Sequence, residues 1–150
     1  MRSPDTNVWR MTDLLLWLHI GFAIFALGPI TAVTMSTPRF IRAKNVDVLR
    51  YLHKTTRIYG FASIGVFLFG AILGRDFLGR PYLSASMTLF IVAAVLLVLV
   101  ERDQRTAIRV LGNENPDDDA KVQVGRIAAL SSVIVLIWMV ILVLMVWGNP

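Results

Sequence analysis

Residues 51–74 read YLHKTTRIYGFASIGVFLFGAILG, and this stretch decides the fold. It opens basic, with His53, Lys54 and Arg57, turns apolar at Ile58 and carries no further charge until Arg75. As a helix, residues 58–74 would rise about 25 Å, close to the hydrocarbon thickness of a bilayer. The stretch ends Gly70-Ala71-Ile72-Leu73-Gly74, with two glycines four residues apart, the spacing that lets membrane helices approach closely.

Working outward, three further apolar blocks flank it, at residues 13–35, 82–100 and 122–147. The link 75–81 is short enough to permit only an antiparallel return. The expected fold is therefore all-α: a single polytopic membrane domain with four transmembrane helices in an antiparallel bundle, spanning approximately 13–35, 58–74, 82–100 and 122–147. A secretory signal has an apolar core of about 7–15 residues. The first block is longer than that, so it reads as a retained span. Pro38 and Arg39 are expected to close it, and Pro29 to disturb it, because proline removes a helical hydrogen bond.

Composition agrees. The chain is 56% hydrophobic and 17% charged, against about 45–50% and 25% for soluble domains. The charges lie between the apolar blocks. The absence of cysteine excludes disulfides, thiolate metal sites and cysteine nucleophiles. A net charge of +5 reads as anchoring charge of a membrane protein, with no nucleic acid implied. Of the fifteen Lys and Arg, eleven fall in or just beyond the connectors after spans one and three. The positive-inside bias then puts both long connectors in the cytoplasm and both termini outside, in the plasma membrane. The first connector carries Arg39, Arg42, Lys44, Arg50, Lys54 and Arg57, all candidates for lipid headgroups. Within it, Val46, Val48, Leu49, Tyr51 and Leu52 suggest an amphipathic turn or two lying among those headgroups.

No breaker interrupts residues 101–111, so span three should run on as a helix into water until Gly112. Asp117, Asp118 and Asp119 offer first-turn carboxylates to the fourth helix, and a solvated loop is the plain reading of that run. Shifting the chain by 69 residues lays Arg57, Ile58, Ser63, Val66, Ile72 and Leu73 on Arg126, Ile127, Ser132, Val135, Ile141 and Leu142. Two duplicated hairpins and chance similarity both account for this match.

Helical periodicity gathers Gly60, Ser63, Phe67, Gly70 and Gly74 on one face of span two, and Gly21, Phe25, Gly28 and Ala32 on one face of span one. These faces are the expected seam. His19 is the ionisable residue inside a span, which makes it a functional candidate beside the plainer reading of a neutral imidazole bonded to a neighbouring helix. His53 is expected at the opposite membrane side, about 20 Å away on helix rise, so one protomer would not bring both histidines to one haem iron. No catalytic constellation and no metal cluster is apparent, and no cofactor is required. No carboxylate lies within residues 14–35, 58–74, 82–100 or 122–147; Asp13 and Glu101 only bracket these runs.

The run Leu14-Leu15-Leu16-Trp17-Leu18-His19-Ile20-Gly21 resembles the leucine-histidine start of small integral membrane proteins grouped as domain of unknown function 2269. The chain length, four spans and basic first connector look similar too. More distantly it resembles the membrane part of the copper-resistance D group. The first resemblance implies a four-span fold in the plasma membrane without an established activity; the second implies His19 as a candidate ligand. The residues point to a non-enzymatic accessory or scaffold subunit, working as a homo-oligomer or within a larger membrane-protein complex among membrane lipids. The alternatives are a haem-, quinone- or metal-binding protein using His19, and a small oligomeric transporter.

Overall fold

The computed structural model describes residues 4–113 and 120–148, and every regular element among them is helical. Helix α1 (Pro4–Phe22) runs through a π-helical turn (Ala23–Leu27) into α2 (Gly28–Arg42). A three-residue turn leads to α3 (Val46–Leu73), and a short 3-10 turn (Arg75–Phe77) leads to α4 (Pro81–Leu111). Helix α5 (Lys121–Trp147) completes the bundle. Four helical stretches, Asn7–Arg42, Val46–Leu73, Pro81–Leu111 and Lys121–Trp147, are long and apolar enough to cross a membrane. They pack against one another, so the chain is a four-helix integral membrane protein.

The expected disturbance at Pro29 takes the form of the π-turn. A proline ring clashes with the carbonyl four residues back, here that of Phe25. Widening the helix over Ala23–Leu27 lets the chain absorb the ring without breaking. Pro38 does not close the first span. It is buried inside α2, which continues to Arg42. The amphipathic stretch expected as a turn or two of its own forms the first part of α3, where Leu49, Leu52 and Thr56 are buried in the bundle. A single helix results because Asn45 caps it, its side chain accepting from the Val48 amide at 3.2 Å. Lys44, at φ 52°, supplies the left-handed residue that ends α2. Helix α4 continues to Leu111, as its unbroken sequence implies, and Gly112 ends it. The Asp117–Asp119 run lies outside the described residues.

The bundle differs along its length. Beyond the π-turn, α2 packs against both α3 and α5, α4 against α3 and α5. Ile30, Gly60 and Leu97 meet at one level. Helix rise and the spacing of buried residues then stack the levels below it. Thr34, Thr56, Val100 and Ser131 form the next, and Thr37, Gln104 and Ile127 the one after. Ile41, Leu49 and Ala107 close the stack. The alternation of three- and four-residue steps is that of knobs-into-holes bundles. Apolar levels therefore bracket two polar ones at the connector end. Toward the termini, α1 lies against α3, and the rings of Phe67, Phe90 and Trp138 make a ladder across α3, α4 and α5 at 5.3 Å spacings.

The 69-residue shift is not echoed in burial. Ser63 is buried where Ser132 is exposed, and Ile58 is exposed where Ile127 is fully buried. The matched residues thus occupy different helix faces.

Candidate functional site

Two places concentrate polar chemistry. The first is the connector end, where α4 leaves its apolar run. Glu101 Oε1 accepts from His53 Nε2 of α3 at 2.7 Å and from Arg105 Nη2 one turn on, also at 2.7 Å. Both side chains of the histidine–glutamate pair are about one-sixth exposed, 17% and 16%, so solvent only partly screens their tie. Burial pushes the Glu101 carboxyl up, but the hydrogen bonds and charges of Arg105 and His53 outweigh it and hold the group below its ordinary 4.5.

One turn further, Gln104 Nε2 donates to Thr37 Oγ1 at 2.9 Å, and that hydroxyl donates to the Val33 carbonyl at 2.8 Å. This bond joins α4 to α2 at the centre of the bundle. Asp103 is buried beside it. Arg126 Nε of α5 approaches its Oδ2 to 3.3 Å, close enough for ionic attraction but without hydrogen-bond geometry. Thr56 Oγ1, Gln104 Oε1 and Ser131 Oγ are buried with no hydrogen-bond partner. Each of the four long helical segments contributes to this cluster.

The second place is His19. Its Nδ1 lies 2.9 Å from the Val66 carbonyl of α3. A carbonyl only accepts, so Nδ1 is the donor in this bond and Nε2 takes no part in it. The ring rests on Gly70, where an added Cβ would stand 2.9 Å from His19 Cε1. One turn along, the Phe22 ring fills the space over Gly65, where a Cβ would lie 2.7 Å away, and meets the Phe69 ring at a tilt, centroids 5.4 Å apart.

These contacts correct the expected seam. Gly60, Ser63, Gly70 and Gly74 do face neighbours: Gly60 meets Leu97 and Ile30, Gly70 meets His19, Gly74 meets Leu83, and Ser63 is buried, donating to the Gly60 carbonyl. Gly21 and Gly28 do not; a Cβ on either would meet nothing within 4 Å. The face that α1 turns to α3 is the one bearing His19 and Phe22, because large rings fill the gaps that glycines leave on the other helix.

The six basic candidates divide. Arg39, Arg42, Lys54 and Arg57 are exposed without a carboxylate partner among the described residues, Arg50 pairs with Asp47 at 3.8 Å, and Lys44 is exposed at the α2–α3 turn. His53, Lys54, Arg57, Ile58 and Phe61 line an open hollow on α3. His53 sits thirteen residues before Val66 on the same helix, so the two histidines are roughly 20 Å apart. Among the described residues no group of three or more His, Cys, Asp or Glu could hold a metal ion.

Sequence reasoning missed Asp103, Gln104 and the partner of Glu101. Glu101 and Gln104 lie three apart on the helical continuation of span three, in step with Leu97 and Val100. Extending the buried register of α4 past its last apolar residue would have brought Gln104 into the core. No family model matches the chain, and no curated protein or solved structure matches it either.

Proposed function

We propose that the chain is a non-enzymatic accessory or scaffold subunit of a larger complex in the plasma membrane, with its long connectors cytoplasmic and both termini outside. The observation that carries this reading is the unpartnered face of the first span. Trp17 is 70% exposed and Phe25 75% exposed, on a helix that rests chiefly against α3. Large rings standing out from a span offer the packing area and low entropy cost that anchor interfaces. The levels of the bundle interior, meanwhile, are filled by the chain's own side chains, which favours association over a solute path.

Native mass spectrometry of the protein extracted gently from its own membrane tests the reading. A reproducible assembly with larger subunits, lost on the Trp17→Ala/Phe25→Ala double substitution while helicity is retained, is the expected outcome. Recovery of the chain alone or solely with copies of itself would count against it.

A second reading rests on a different observation, the bond from His19 Nδ1 to the Val66 carbonyl, which orients the ring and leaves Nε2 outside that bond. Backbone carbonyls orient ligand histidines in this way. A visible absorbance band of the purified protein that disappears in a folded His19→Ala variant would favour haem or metal binding over the accessory role.

A further inference from the structure

The hollow beside His53 combines two chemistries along one helix face. Lys54, Arg57, Ile58 and Phe61 follow one another at steps of three, one and three residues, the spacing that keeps side chains on one side of a helix. From Lys54 to Phe61 the face rises roughly 10 Å, passing from two cations to two exposed apolar side chains. Ile58 is 55% exposed and Phe61 68% exposed. The change falls where the apolar part of α3 begins, so the cations lie at headgroup depth and the apolar pair at the depth of the first acyl carbons.

Neighbouring charges are already answered from within the protein. Glu101 is engaged by His53 and Arg105, and Asp47 lies beside Arg50. Lys54 and Arg57 have no carboxylate partner among the described residues. The hollow therefore presents uncompensated positive charge above an apolar floor. His53, held by Glu101, forms its side wall.

We propose that this hollow seats one anionic glycerophospholipid, its phosphate between Lys54 and Arg57 and an acyl chain along Ile58 and Phe61. The site goes beyond a diffuse basic surface because it joins particular cations to a particular apolar track. It is independent of the accessory reading, since a lipid can occupy α3 whether or not a partner covers α1.

Delipidated, detergent-solubilised full-length protein titrated with phosphatidylglycerol or phosphatidylcholine, and read by native mass spectrometry, tests the proposal. A first phosphatidylglycerol adduct should form at lower lipid concentration than the phosphatidylcholine adduct. Lys54→Gln/Arg57→Gln should weaken it roughly tenfold to thirtyfold, given the pull of each basic side chain on an anionic headgroup. Arg39→Gln/Arg42→Gln, which leaves the hollow intact, should weaken it far less. Phe61→Ser should weaken the lipid adduct as well, and inorganic phosphate should compete poorly. Circular dichroism of each variant confirms that the helices are retained. Equal binding of the two lipids would overturn the proposal, as would equal losses from the two double substitutions. Efficient displacement by inorganic phosphate with no effect of Phe61→Ser would replace the lipid with a simple anion and overturn it too.

Discussion

The two ends of this bundle are joined by different physics. At the connector end, helices meet through side chains that reach across: His53 to Glu101, Gln104 to Thr37, Arg126 toward Asp103. Toward the termini, α1 and α3 meet through what is missing, with the His19 and Phe22 rings lying over Gly70 and Gly65. Near the connectors, polar contacts between helices specify register, even where both side chains are buried, as at Gln104 and Thr37. Deeper in the membrane, lipid tails are as apolar as the side chains, and association relies on close packing. The same helix, α3, uses the first device in its opening turns and the second near its end.

The sharpest way to break the terminal half is Gly70→Leu. The new side chain would meet the His19 ring and force it from the Val66 carbonyl, destabilising the fold by about 1–3 kcal/mol. Unfolding in mixed micelles would register the loss. The contrast would fail if the variant were as stable as the parent.

Next in size is His53→Leu, which leaves the largely buried Glu101 with Arg105 alone and should destabilise by roughly 1–2 kcal/mol. Acid acts on the same tie. Because the folded Glu101 carboxyl is held below its ordinary 4.5, its contribution is complete above that value and is lost as pH falls through the lower folded value. A parent protein whose stability is flat through that acid range, with His53→Leu also flat, would show that the tie contributes nothing.

Smaller, and more telling, is a pair of substitutions at one hydrogen bond. Thr37→Val leaves the Gln104 Nε2, like its Oε1, without a partner and should cost about 1 kcal/mol. Gln104→Leu removes the bond together with its unpartnered Oε1 and should be milder. The reverse order would mean that the amide is satisfied in some other way. Smallest of all is Gly21→Ala, with nothing within 4 Å of the new Cβ. Stability should stay unchanged or rise by at most about 1 kcal/mol, since alanine is the better helix former. A clear loss there would restore Gly21 to a packing face.

Some of this architecture was legible residue by residue. The apolar run from Ile58 needs a bilayer, and the lack of a breaker between Glu101 and Leu111 carries α4 onward. The pairing of Gly70 with a side chain on the first span was not legible. A glycine announces that something can come close without naming it, and two glycine faces invited the wrong match. Asp103 and Gln104 were hidden for a related reason. Hydropathy ends the span at Val100, whereas the heptad-like levels of the core run a further two turns, to Ala107.

By itself, the sequence determined the four spans, their antiparallel order and the concentration of positive charge at one end. These follow from apolar length, short links and the distribution of lysine and arginine, all of which act along the chain. Tertiary structure alone decided that His19 lies on Gly70, that Glu101 has a histidine partner and that Gly21 and Gly28 face no neighbour. Those outcomes depend on how four helices rotate about their axes. Rotation is set by the packing of shapes contributed by several helices at once, which no single stretch contains.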